Sequence, residues 1–252
     1  MSAFLAEFVK LRTLRSTGWP LALTAPVAAA MAYVVGLSFG HADPATVRFD
    51  ATFASFYSLS FAQLALVVFA VVAVAGEYGS GTIRASLSAV PDRTTFYLAK
   101  MSTVALCAAA ASALSVAASF AAAQSGLSPR LRTPLSAPGV LATATGAWLY
   151  LVLIALFAAG VAQALRSTAL SLGILLPLFF LGSQGLGNIP GIWRVAQFLP
   201  DQAGVTILHF FGDPASPDYH RAFGPWGGLA ILALWSAGAL LGGYLTLRTR
   251  DA

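Results

Sequence analysis

Charge is what this sequence is short of. Only 9% of its 252 residues are Asp, Glu, Lys or Arg, against roughly 25% in a soluble globular domain. A chain so poor in charge cannot cover its own surface in water, and 58% of it is hydrophobic with a mean hydropathy of +0.79. Cysteine is scarcer still. Cys107 stands alone, so no intrachain disulfide can form and the redox compartment stays open. A GxxxxGK[ST] segment is missing, which excludes an ATP site in the chain itself. No Ser/His/Asp nucleophile arrangement occurs either. What the chain does have is a series of apolar runs of about 20 residues, the length that crosses a bilayer core. Lipid offers no hydrogen-bond partners, and the runs are continuous rather than alternating, so they read as helices. The expected fold class is all-α, a polytopic membrane protein forming a single transmembrane domain over residues 1–252.

Residues 2–16 place Phe4, Phe8, Leu11 and Leu14 at helical spacing among Glu7, Lys10, Arg12 and Arg15. That pattern predicts an N-terminal interfacial amphipathic helix over 1–18, its basic side chains near anionic membrane lipids. A plain basic flank of the first span is the simpler alternative. A six-helix membrane domain follows over 19–247, with spans expected at 19–39, 53–75, 96–123, 139–161, 169–186 and 226–247. Pro177 should kink the fifth span. Ser55, Ser58, Ser60 and Gln63 open the second, where small polar groups act as interhelical glue or, less often, line a path. Gly238 and Gly242 stand in GxxxG spacing in the sixth, a close-packing signal. The extracytoplasmic connection 187–224 alternates apolar and polar residues around Pro200, which suggests short re-entrant pieces.

Basic residues set the orientation. With both termini cytoplasmic, Lys10, Arg12, Arg15, Arg84, Arg93, Lys100, Arg166, Arg248 and Arg250 fall inside, and Arg48, Arg130, Arg132, Arg194 and Arg221 fall outside. Acids divide almost evenly, so the formal net charge of +5 lies on the inner face. This distribution explains the basic balance by topology and removes the argument for nucleic acid.

By this reading no ionisable residue falls in the middle of a span. Such a residue costs at least ~2.5–3.5 kcal/mol to insert and marks proton or ion relays, so proton-coupled transport and membrane-embedded catalysis both lose support. His41, His209 and His220 all lie in outer connections. His209, Asp213, Asp218 and His220 have no compact ligand spacing, so no metal site is expected. The absence of a charge ring or filter disfavours a channel.

The informative stretch is the charged connection over 76–95, continuing to Lys100. Gly79 and Gly81 should loosen the exit from the second span, and Thr82 can cap a following helix. Ile83, Leu87 and Val90 then recur at i, i+4 and i+7 before Pro91 stops it. The product is a short amphipathic helix between two spans, flanked by Arg84 and Arg93. It suits either docking into a partner's groove or a bland interfacial connection.

The run Glu77-Tyr78-Gly79-Ser80-Gly81-Thr82-Ile83-Arg84, with Pro91-Asp92-Arg93 and Lys100, resembles the first cytoplasmic loop of type-2 ABC transporter permeases. Residues 7–16 are similar to that family's interfacial helix, and Phe198-Leu199-Pro200-Asp201-Gln202-Ala203-Gly204 is similar to a segment before its last span. The resemblance implies a permease subunit of an ATP-driven exporter, moving a hydrophobic or amphipathic substrate outward across a bacterial cytoplasmic membrane. It implies a separate nucleotide-binding subunit, which would hold the Mg-ATP, and a second permease copy or homologue. It makes 76–95 a coupling loop, with Glu77, Gly81, Thr82, Arg84, Leu87, Pro91 and Arg93 facing the ATPase. Phe4, Glu7, Lys10, Arg12 and Arg15 would support it. The second and fifth spans would line the path, through Ser58, Gln63 and Pro177. The competing expectation is a non-transporting scaffold or immunity-type subunit that binds a partner within the bilayer.

Overall fold

The computed structural model describes residues 3–39, 51–183, 193–208 and 221–249. Its helices are α1 (Ala3–Thr13), α2 (Arg15–Phe39), α3 (Ala51–Phe56), α4 (Leu59–Ser80), α5 (Thr82–Ala89), α6 (Arg93–Gly126), α7 (Val140–Leu165), α8 (Thr168–Ser183), α9 (Trp193–Ala196), α10 (Pro200–Val205) and α11 (Pro225–Thr249). A 3-10 turn, Thr206–Leu208, continues α10. No strand occurs among the described residues. The outer-loop residues His41, His209, Asp213, Asp218 and His220 lie outside them.

Five helices are long and apolar enough to cross a membrane: α2, α4 with its lead-in from Thr52, α6, α7 and α11. The expected fifth span corresponds to α8, whose 16 residues rise about 24 Å at 1.5 Å each, short of a core of about 30 Å. Residues 184–186 of that expected span lie outside the described residues. Among the described residues the architecture is therefore five helices of spanning length and one shorter apolar helix, and α8 runs through Pro177 without a break.

α4 is the central element. It packs against α2, α6, α7 and α8, while α2 pairs with α6 and α7 with α11. Glycine and alanine make these pairings close. A Cβ on Gly36 of α2 would lie 2.6 Å from the Ala123 carbonyl oxygen of α6, so the two backbones touch there. α7 meets α11 in the same way, at Gly160 against Ala239 and at Gly243 against the Gly160 carbonyl. The GxxxG pair expected to pack, Gly238 and Gly242, instead faces open space. Gly243 and Ala239 take the contact, and on a 3.6-residue helix one position of rotation turns the 238/242 edge away. Ser58 and Gln63 are buried inside this bundle. Ser58 Oγ pairs with Ser119 Oγ of α6 at 2.8 Å, and the Tyr150 hydroxyl of α7 donates to Gln63 Oε1 at 2.5 Å.

The charged connection is shorter than the sequence suggests. α4 continues as helix to Ser80, so Glu77 belongs to its last turns and Gly79 remains helical. Gly79 costs about 1 kcal/mol relative to Ala in a helix, which packing around Glu77 offsets. The chain turns at Gly81, whose φ of +72° closes α4 and opens α5. Thr82 is therefore the first helical residue rather than the cap, and its hydroxyl pairs with Ser80 Oγ at 2.9 Å. α6 starts at Arg93, so Lys100 also lies within a long apolar helix. Glu77 and Lys100 thus lie within helices rather than in a loop, in the last turns of α4 and near the start of α6, and compensate one another.

A methyl group on Gly160 must displace the α11 backbone, whereas one on Gly238 meets nothing. Gly160→Ala should destabilise the purified protein by about 1–3 kcal/mol. Gly238→Ala should leave it unchanged or raise stability by up to about 1 kcal/mol. Thermal unfolding of both variants measures the difference.

Candidate functional site

Four ionisable side chains meet where α1, α4, α5 and α6 converge. Lys100 Nζ donates to Glu7 Oε2 at 2.8 Å and to Glu77 Oε1 at 2.5 Å, and it sits 5.2 Å from the centre of the Phe96 ring. Lys10 Nζ donates to Glu77 Oε1 as well, and to Ser86 Oγ of α5 at 3.0 Å. Lys10 and Glu7 approach to 3.8 Å. Glu77 is 5% exposed and Lys100 2% exposed, with Glu7 also buried and Lys10 half-buried. Two carboxylates and two ammonium groups leave the cluster neutral, which is what allows it to be enclosed. Glu77 Oε2 is the exception, buried without a hydrogen-bond partner.

The cluster turns part of the polar side of α1 inward. In α1, Glu7 points inward with Leu11, while Leu5 and Val9 are exposed. Phe4 stacks on Phe8 at 6.5 Å. Glu7 and Lys10 are drawn in because Lys100 and Glu77 wait on the protein side, and the exposed Leu5 and Val9 suit lipid. Arg12 and Arg15 are exposed and take no part in the cluster.

α5 is fixed by apolar contacts on its inner side. Ile83 is buried, and Leu87 and Val90 pack against the core, which is the i, i+4, i+7 stripe expected. Arg84 is exposed on the opposite side, together with Gly81, Thr82 and Pro91. Beyond Pro91, Asp92 caps α6 by accepting from the backbone N–H groups of Thr94 at 3.1 Å and Thr95 at 3.0 Å. The Thr95 hydroxyl and these amides hold the Asp92 carboxyl below its usual range. Arg93 turns away from α5: its Nη1 donates to the carbonyls of Leu247 at 2.8 Å and Arg248 at 3.1 Å, at the end of α11. Arg166 does the same from α7, donating to the Thr246 carbonyl at 2.9 Å, with its guanidinium 5.2 Å from the Tyr78 ring. Gln163 Nε2 donates to the Tyr78 hydroxyl at 2.6 Å. Cationic side chains thus cap the C-terminal carbonyls of α11, as the helix dipole favours.

The structure therefore separates the expected coupling residues into three groups. Glu77 is in the buried cluster with Glu7 and Lys10. Arg84, Thr82, Gly81 and Pro91 form the open face, with Leu87 behind them. Arg93 belongs to a second anchor on α11. The expected path residues are also divided: Ser58 and Gln63 are locked in interhelical hydrogen bonds, whereas Pro177 borders an apolar groove between α4 and α8. Leu64, Ala65, Val68, Leu176, Phe180 and Leu181 complete that groove. Sequence reasoning missed Lys100 and Ser86 as members of the cluster. The signal for Lys100 was a lone cation seven residues into an apolar helix.

Removing one member of a buried charge cluster leaves its partner uncompensated, at a cost of about 3–5 kcal/mol. Lys100→Met should accordingly lower the thermal midpoint strongly. The double variant Glu7→Gln/Lys100→Met, which leaves the neutral Glu77–Lys10 pair, should recover most of the loss. Equal destabilisation in both variants would contradict the charge balance.

A family model described as "ABC-2 family transporter protein" matches residues 3–182, from α1 through α8. A comparison with curated proteins gave no match. The matched region contains the whole charge cluster, α5 and the α4–α8 groove, and it spans more than half of the chain. This chain belongs to the ABC-2 transporter family and is a multi-pass membrane protein of that family.

Proposed function

We propose that the chain is the permease subunit of an ABC exporter, driven by a separate ATP-hydrolysing subunit that docks on α5. One observation carries the reading. α5 is an eight-residue helix whose inner face is anchored to the membrane helices and whose outer face, with Arg84, is exposed among the described residues. A force applied there reaches α4 directly through Gly81, α1 through the Ser86–Lys10 contact, and α6 through Glu77 and Lys100. Family membership supports the need for such a partner, because ABC-2 membrane proteins generally work with an ABC ATP-binding subunit. The Mg-ATP would then belong to the partner, and the α5 end of the bundle would be cytoplasmic, in a bacterial inner membrane.

The α4–α8 groove supports the choice of cargo. Its lining is wholly apolar, so it favours a hydrophobic or amphipathic substrate over an ion. A second permease copy or homologue facing this groove would enclose a path between the two subunits. Pro177 lines that path in this arrangement, and Ser58 and Gln63 hold the helices that form it.

The test is ATP hydrolysis by the chain reconstituted in lipid with its ABC ATPase. Substrate should stimulate the parent complex, and Arg84→Glu should cut that stimulation at least about tenfold, a loss of about 1.4 kcal/mol in coupling. Basal hydrolysis by the ATPase subunit should persist. Unchanged stimulation in Arg84→Glu and in Leu87→Asp would contradict docking at α5. Failure of any ABC ATPase to bind the chain would return the scaffold reading.

A further inference from the structure

A third buried acid lies at the opposite end of the bundle from α5. Asp201 opens α10, and every residue from Pro200 to Leu208 is buried, inserted among α7, α8 and α11. The fit is close. A Cβ on Gly182 of α8 would fall 1.9 Å from Asp201 Oδ2, so the carboxylate rests directly on the α8 backbone. Gly204 lies against the Tyr150 ring and Leu232, and Gly228 of α11 against the Ala203 carbonyl. α10 is thus a wedge of small residues with one carboxylate at its leading end.

That carboxylate is poorly compensated. Asp201 Oδ2 accepts from Gln202 Nε2 at 3.0 Å, while Oδ1 is buried with no hydrogen-bond partner. Among the described residues, four elements surround this end of α10. α7 presents Tyr150, whose hydroxyl is committed to Gln63 Oε1 at 2.5 Å. The segment before α11 presents Arg221, whose Nη1 donates to the Gln202 carbonyl rather than to the carboxylate. α8 offers backbone at Gly182, and α11 offers Gly228 and Leu232, neither ionisable. This contrasts with Glu77, which was given two lysines.

We propose that α10 is a proton-responsive plug, seated among α7, α8 and α11 when Asp201 is protonated and loosened when it ionises. A protonated carboxyl can be buried as a neutral group, whereas an ionised one loses its hydration at this site, and the Gln202 hydrogen bonds and the nearby Arg221 charge offset that loss only in part. Burial raises the Asp201 pKa from 3.8 to about 6, against the opposing pull of the Gln202 hydrogen bonds and Arg221. The sign follows from linkage. The seated pKa is above the exposed one, so seating is strongest below about pH 4 and is lost progressively as pH rises through about 6. Two pK units correspond to roughly a hundredfold change in the seating equilibrium. α10 adjoins the end of α8 one residue beyond Leu181, which lines the α4–α8 groove. That adjacency makes the plug a closure for the outer end of the groove; this consequence rests on the exporter reading, whereas seating itself does not.

The experiment needs no ATPase. The full chain with Cys107→Ala and Val205→Cys, in lipid nanodiscs, is labelled with a membrane-impermeant maleimide from about pH 5 to about pH 8. Rates are divided by those of a Ser136→Cys control in the exposed α6–α7 connection. Val205 is buried in the seated state. The normalised rate should rise at least about tenfold across that range with a midpoint near 6, and Asp201→Asn should abolish the rise. A flat normalised rate in the parent overturns the proposal, and so does an equal rise in Asp201→Asn. Should Asp201→Asn fail to fold, the parent slope against the Ser136→Cys control decides alone.

Discussion

One ammonium group shared by two carboxylates holds the α5 end of this protein together. Lys100 touches Glu7 on α1 and Glu77 on α4 from its own place on α6, and Lys10 closes the set toward Ser86 of α5. An enclosed lysine is tolerable only if every charge near it is answered, and that requirement fixes four helices relative to one another. α1 cannot float freely in the headgroup layer while Glu7 is committed. α5 cannot swing on Gly81 alone while Ser86 and Ile83 are held. The cluster converts a charged turn into a rigid corner.

The rest of the bundle works by a different rule. Between the helices the contacts are backbone against backbone, at Gly36, Gly126, Gly160 and Gly243. In a bilayer there is no hydrophobic drive for helices to associate, so close van der Waals approach and a few hydrogen bonds such as Ser58–Ser119 carry the association. The two ends then differ in electrostatics. At the α5 end, charges are paired, and the carbonyls ending α11 are capped by Arg93 and Arg166. At the α10 end, Asp201 is buried with an unanswered oxygen. A corner in which each carboxylate meets an ammonium transmits displacement; a buried acid without a direct ion pair responds to its surroundings.

The sequence made the all-helical membrane character legible because apolar runs of spanning length need no tertiary information. The apolar stripe of α5 was equally legible, since Ile83, Leu87 and Val90 repeat at the helical period and Pro91 ends it. Three features were not. The helical extension through Gly79 depends on packing that outweighs a local propensity. The choice of Gly243 over Gly238 and Gly242 as the contact glycine depends on helix rotation, which small-residue spacing alone does not set. The inward turn of Glu7 and Lys10 depends on partners about 70 to 90 residues distant in sequence. In each case a local pattern read correctly was overruled by a contact between distant segments.

The central claim is that α1 and α5 move as one body because the Glu7–Lys10–Glu77–Lys100 cluster joins them. Spin labels at Ala6 and Ala85, both exposed, measured by pulsed electron resonance with ATP bound and after hydrolysis in the reconstituted complex, test it most directly. The account predicts an unchanged α1–α5 distance in the two states, while a distance from Ala85 to the exposed Leu170 of α8 shifts. An α1–α5 distance that changes with nucleotide state would contradict it.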